Sequence, residues 1–177
     1  MIYVANDVPE ILIEIFESRY ERYMELLPEI GRNVHSLSDT SAELFPNPRL
    51  TNFLRMPYDS QLFDGYPCCY IVSRTVSTAL YDKGFDTLLV RGYYEFSGKK
   101  TGHSWIGILM KGNEYSIDMT HRQTGSEHMV VISPSEKSLG IRKEYAVNSN
   151  DASFSMETNN YISIFKELKK LYDLFCK

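Results

Sequence analysis

The sequence predicts an α+β domain. Three stretches, near the start, in the middle and at the end of the chain, carry apolar residues at the three- and four-residue spacing of amphipathic helices. Between the second and third stretches, apolar and polar residues alternate, as they do in half-buried strands. Helices and strands thus occupy separate parts of the chain, which is typical of the α+β class.

Length and charge limit the classes of function. The chain has 177 residues, the size of one domain, and a formal net charge of −4, which argues against a nucleic-acid binder. No apolar run reaches the roughly 18 residues of a membrane span, and the N-terminus lacks the pattern of a secretory signal. The three cysteines, two of them adjacent, do not form a disulfide framework. A reducing, cytoplasmic location is therefore expected.

The first helix is predicted from Pro9 to Leu27, with Asp7 as N-cap and Pro28 ending it. Its charged residues form a solvated face. From Gly31 to Pro67 the chain carries four prolines among Ser, Asp and Asn residues, so extended regular structure is not expected there. A short helix around Leu50 to Arg55 is the exception.

The second helix is predicted from the cysteine pair, Cys68 and Cys69, to a C-cap at Gly84. One apolar stripe predicts burial along one side only; it consists of Val72, Val76, Ala79 and Leu80. The last helix is predicted over Tyr161 to Phe175, with an inward face of Ile162, Phe165, Leu168, Leu171, Leu174 and Phe175.

Strands are predicted between these helices, where the apolar period changes to two. Gly112-Asn113 is expected to turn the second strand back into the third, which makes an antiparallel hairpin. The predicted strands are Thr87 to Phe96, His103 to Met110 and Glu114 to Asp118, with two more at Met129 to Ile132 and Ile141 to Val147.

Three sites lie where chemistry can occur. Cys68 and Cys69 open a helix, whose unpaired N–H groups favour a thiolate. His103 opens a strand, and a histidine within reach completes the activation of a thiol. Asp118 ends the strand that pairs with it, so it can hold the imidazole in orientation. A buried packing cysteine, a surface histidine and a capping aspartate are the ordinary alternatives, but the ordered set favours catalysis.

The same residues resemble the core of the transglutaminase-like cysteine enzymes, which belong with the papain-like fold. The resemblance covers Gly65 to Thr120 and includes Gly102-His103-Ser104-Trp105 and Asp118-Met119-Thr120. Gly84 follows Cys69 by 15 residues, and Asp118 follows His103 by 15. The resemblance implies a nucleophile helix packed on an antiparallel sheet with flanking N- and C-terminal helices. It also implies Cys69 as nucleophile, His103 as general base and acid, and Asp118 as orienting residue.

Two details of the site stay open. Cys68 is the alternative nucleophile, although the spacing to Gly84 within the family favours Cys69. Gln61 is a weak candidate for an oxyanion-hole donor, and Tyr66 or Trp105 would line the site.

The expected activity is hydrolysis of an amide or related acyl bond in a protein or peptide, through a thioester, as in a protease or deamidase. Acyl transfer to an amine and a non-catalytic binding or peptide-maturation module are the alternatives. No cofactor or metal is predicted, because the chain lacks a glycine-rich phosphate loop and because His35, His121 and His128 lack ligand spacing. Three basic residues, Arg91, Lys99 and Lys100, are candidates for steering an acidic substrate.

Overall fold

A computed structural model of the protein describes residues 1–36, 69–96, 99–137 and 140–177. Its helices are α1 (Glu10–Glu17), α2 (Tyr20–Ser36), α3 (Cys69–Asp82), α4 (Ala152–Ile164) and α5 (Lys166–Cys176). Its strands are β1 (Ile2–Val4), β2 (Asp86–Phe96), β3 (Lys99–Met110), β4 (Asn113–Asp118), β5 (Val130–Pro134) and β6 (Ile141–Asn148). Short 3-10 helices follow β4 and β5, at His121–Thr124 and Ser135–Lys137. The helix predicted around Leu50 to Arg55 lies outside the described residues.

The strands form one mixed sheet in the order β1-β5-β4-β3-β2-β6. Neighbouring strands are antiparallel except β1 and β5, which run parallel. The α+β class is therefore confirmed, and so are the two further strands, as β5 and β6. The expectation of an antiparallel sheet is wrong at the β1 edge, because three residues are too few to set up a recognisable alternation.

Helix α3 lies against β2 and β3 and is buried on all sides, so the prediction of burial along one side is wrong. Its polar side chains are bonded inside the fold. Ser73 Oγ donates to the Ser104 carbonyl at 3.2 Å. The Arg74 guanidinium donates to Thr158 Oγ1 and to the Phe154 carbonyl, both at 2.8 Å. Because buried polar groups are stable once they are hydrogen-bonded, an apolar stripe alone underestimates the burial of such a helix.

The main core lies between one face of the sheet and the helices α1, α2, α3 and α5. Ile106 and Ile108 of β3 and Ile117 of β4 face this core. The alternate residues of β2 and β3 form a second apolar cluster, which includes Val90, Tyr94 and Trp105. His103 lies two residues before Trp105, so strand alternation places it on the same face as this second cluster.

The N-terminal helix departs from its prediction in two ways. It is broken at Ser18 and Arg19 into α1 and α2, and Pro28 lies inside α2 instead of ending it. Ile30, beyond the proline, is fully buried in the core, and its burial helps to offset the cost of an interior proline. Asp7 does not cap α1. Its backbone has a positive φ of 70°, and its carboxylate pairs with Lys137 instead.

The C-terminal helix is two helices, with the break at Phe165. This residue has an extended backbone and is buried, so its side chain enters the core at the point where the chain changes direction. Of the predicted inward positions, Leu168, Leu171 and Phe175 are buried as expected, whereas Ile162 and Leu174 are only partly buried.

Two glycines fix the ends of the elements that carry the site. Gly84 has a φ of 98°, its N–H donates to the Tyr81 carbonyl, and that of Phe85 donates to the Leu80 carbonyl, so the predicted C-cap is confirmed. The β3–β4 turn is formed by Lys111 and Gly112, both with positive φ, one residue earlier than predicted.

Gly92 provides a test of how tightly the sheet is packed around the site. A Cβ atom there would lie 1.8 Å from the Arg142 carbonyl oxygen and 2.7 Å from the Trp105 ring. We expect Gly92→Ala to lower the free energy of unfolding by about 3 kcal/mol, measured by urea denaturation. Gly102→Ala is the matched control, since its Cβ would meet nothing within 4 Å. Equal midpoints for the two variants would contradict this packing.

Candidate active site

Cys69 is the first residue of α3, and it is only 6% exposed. The unpaired N–H groups of a first helical turn stabilise negative charge, so this position suits a thiolate. The alternative nucleophile Cys68, the oxyanion candidate Gln61 and the lining candidate Tyr66 lie outside the described residues.

His103 and Asp118 form a buried hydrogen-bonded pair. The β3–β4 register pairs Ile106 with Ile117, which places Asp118 opposite Trp105, two residues from His103 on the same face. His103 Nε2 donates to Asp118 Oδ2 at 2.7 Å, and the two residues are 3% and 1% exposed. The hairpin therefore brings together the two side chains that the sequence analysis pairs.

The second nitrogen of the His103 ring is turned away from Asp118. This atom, Nδ1, is buried and has no well-aligned hydrogen-bond partner among the described residues. The Cys69 thiol is the other group that raises the pKa of His103, so it lies near the ring. Because Nε2 is engaged by Asp118, Nδ1 is the nitrogen available to the thiol. His103 thus lies between a sulfur and a carboxylate.

Opposing effects set the charge of this pair. Burial alone would lower the pKa of His103, but the charge and hydrogen bond of Asp118, together with the Cys69 thiol, raise it to about 10. Burial alone would raise the pKa of Asp118, but the charge and hydrogen bond of His103 and the hydrogen bond from His121 hold it well below its usual range. At neutral pH the site therefore contains an imidazolium and a carboxylate.

Two aromatic rings hold the imidazole. The Tyr94 ring meets it edge-on, with centroids 5.8 Å apart, and the Trp105 ring stacks on it at 6.2 Å. Trp105 thus lies beside His103, as predicted, and is nearly fully buried. Tyr94 is not among the predicted site residues. It follows Gly92, the partner of His103, by two residues, so the alternation of β2 places it diagonally across from His103.

His121 has a role that the sequence does not predict; it is named above only as a histidine without the spacing of a metal ligand. Its ring donates from Nδ1 to the same Asp118 oxygen at 2.8 Å, and the residue is 3% exposed. The Thr120 backbone N–H donates to the other oxygen, Oδ1, at 3.0 Å. No periodic pattern marks this role in the sequence, because Asp118 ends β4 and the chain turns at Met119 and Thr120 before His121 begins the 3-10 helix.

The described residues hold no group of three or more His, Cys, Asp or Glu side chains suited to a metal ion. Two of the basic residues near the site have partners on the sheet or on α3. Lys100 lies over the Tyr93 ring at 3.5 Å and pairs with Glu144, and Arg91 lies over the Tyr70 and Tyr145 rings. Nothing is described for the side chain of Lys99.

Comparisons with known proteins do not identify the chain. No protein family, curated protein or solved structure matches it. No helix among the described residues has the length and apolar character needed to cross a membrane.

Proposed function

We propose that the chain is a cysteine hydrolase that cleaves an amide or related acyl bond through Cys69, His103 and Asp118. One observation carries the proposal: a single buried imidazole contacts a carboxylate through Nε2 and has its other nitrogen available to a thiol at a helix N-terminus. A nucleophile, a base and an orienting group, each in contact with the next, are the groups that acyl transfer to a thiol requires.

The reaction proceeds in two halves. In the first, the Cys69 sulfur bonds to the substrate carbonyl carbon, and the C–N bond then breaks as the His103 imidazolium gives its proton to the leaving amine. In the second, the neutral imidazole takes a proton from water, the hydroxyl adds to the thioester carbon, and the C–S bond breaks. The carboxylic acid leaves, and the thiolate and imidazolium are restored. Asp118 keeps the ring in place and stabilises its positive charge throughout.

The fold supports assignment to the transglutaminase-like, papain-like group as part of the proposal. The nucleophile begins a central helix, the histidine and aspartate lie on neighbouring antiparallel strands, and helices from both ends of the chain pack on the same core. The substrate would be a protein or peptide. We favour hydrolysis over transfer to an amine because water needs no binding site of its own.

An activated ester tests the proposal without knowledge of the natural substrate. Mixing the protein with p-nitrophenyl acetate should release a burst of nitrophenol equal to one per chain, followed by slower turnover, with the acetyl group retained as a thioester. Mass spectrometry after proteolysis should locate that group on Cys69.

Addition of a primary amine distinguishes the two fates of the thioester. An unchanged rate and acetate as the product support a hydrolase, whereas acetylated amine as the main product would assign acyl transfer. Protein alkylated beforehand with iodoacetamide is the control. Absence of a burst, with no group retained on the protein, would contradict the proposal and favour a binding module.

A further inference from the structure

Asp118 binds two histidines through one oxygen. His103 Nε2 and His121 Nδ1 lie 2.7 Å and 2.8 Å from the same atom, Oδ2, and all three residues are nearly fully buried. A carboxylate oxygen has two lone pairs, so these two donors saturate it. The Thr120 N–H occupies Oδ1, and the carboxylate is therefore restrained by three hydrogen bonds from three directions.

Both rings donate a hydrogen bond to Asp118. An ionised carboxylate only accepts hydrogen bonds, so both nitrogens that face it carry protons. The charge and hydrogen bond of Asp118, together with the Cys69 thiol, raise the pKa of His103. The second nitrogen of the His121 ring, Nε2, faces Thr124 Oγ1 at 3.4 Å.

The position of His121 is itself fixed by backbone contacts. Its N–H donates to the Met129 carbonyl at 2.8 Å, at the start of the 3-10 helix that follows β4. Two residues on, the Gln123 carbonyl accepts a hydrogen bond from the Tyr94 hydroxyl at 2.6 Å, and the Tyr94 ring contacts His103. This single turn therefore supports the imidazole on two sides, through Asp118 and through Tyr94.

We propose that His121 is a positioning residue, which rests on the proposed function: its Nδ1–H holds Asp118 ionised and correctly oriented to receive His103. It does not touch the reacting atoms. Without it, Oδ2 would lose one of its two donors, and the carboxylate would be free to rotate away from His103 Nε2. The thiolate–imidazolium pair would then form less completely at neutral pH.

Two substitutions of His121 distinguish the effect of its Nδ1–H donor from the effect of the shape of its ring. In His121→Asn the side-chain amide places an N–H group near the position of Nδ1, whereas His121→Leu fills similar space without a donor. The rate of alkylation by iodoacetamide is measured from pH 5 to pH 9. We expect the Leu variant to react roughly 10- to 100-fold more slowly at pH 6, with its profile shifted to higher pH, and the Asn variant to stay within about threefold of the wild type.

A matched control is available in His128→Leu. His128 is partly buried and packs against the Tyr3 ring at 5.4 Å, and none of the hydrogen bonds among the described residues joins it to Asp118. It should leave the alkylation profile unchanged. If His121→Leu fails to fold, His121→Gln replaces it, since its amide nitrogen lies near the position of Nε2 and is expected to lose the effect.

A second measurement keeps this inference separate from the proposed function. The proton between His103 and Asp118 should give a far-downfield NMR signal that is lost in the variant without the Nδ1 donor and retained in the Asn variant. Wild-type alkylation that does not depend on His103 would reject the proposed function, yet the NMR signal would still test the positioning role. An unchanged pH profile and an unchanged signal in the variant without the donor would overturn the inference.

Discussion

Replacing Cys69 with alanine should abolish the acyl-enzyme burst and lower turnover by about a millionfold, because among the described residues Cys69 carries the only thiol near His103. The fold should survive, since alanine fits the space of the buried thiol and keeps the helix start intact. Circular dichroism and the urea midpoint verify this, and the burst with p-nitrophenyl acetate measures the loss.

The chain offers a natural control for this variant in Cys176. That thiol is half-buried on α5 and donates to the Tyr172 hydroxyl at 3.5 Å, and no hydrogen bond joins it to a histidine within the described part of the chain. Cys176→Ala should therefore retain the full burst. Cys68→Ala resolves the choice between the adjacent thiols: a burst lost in that variant and kept in Cys69→Ala would transfer the nucleophile to Cys68.

Replacing His103 with alanine should reduce turnover by about 10⁴-fold or more, since the leaving amine loses its acid and the thiolate loses its counterion. The pH dependence gives the sharper result. The pKa of His103 is raised to about 10, so the imidazolium persists below that pH and is lost above it. Amide cleavage by the wild type should therefore fall as the pH rises through about 10.

Alkylation reports the other half of the pair. Wild-type protein should react with iodoacetamide faster than His103→Ala at neutral pH, because the imidazolium stabilises the thiolate that reacts. His128→Ala should match the wild type. Equal labelling rates in the wild type and His103→Ala would contradict the ion pair.

The elements that carry the site are the ones that local sequence signals define best. Gly84 marks the end of α3 because its positive φ disfavours other residues, and the β3–β4 turn is predicted to within one residue because Gly112 takes a positive φ. The predicted start of β3 at His103 is wrong, since the strand begins at Lys99. With both strands placed, period-two alternation is sufficient to put His103 and Asp118 at one end of the hairpin.

The remaining wrong predictions depend on contacts between residues far apart in the sequence, which no short stretch of sequence shows. Strand β1 exists because β5 is available to pair with it, and Pro28 is tolerated because Ile30 is buried by distant residues. The role of His121 depends on the 3-10 turn that follows β4, and such a short turn has no periodicity to read. The buried Arg74 side chain of α3 finds its partners on α4, far along the chain.

Because α3 depends on those partners, the smallest fragment that could carry the proposed chemistry extends beyond the candidate site. Arg74 lies five residues after Cys69, and its guanidinium stacks on Phe154 at 4.2 Å while it bonds to Thr158. A fragment limited to Gly65–Thr120 would contain all three side chains of the proposed triad, yet it would remove the hydrogen-bond partners of the Arg74 guanidinium and expose this side of α3. The residues proposed to do the chemistry therefore depend for their placement on a segment that contains none of them.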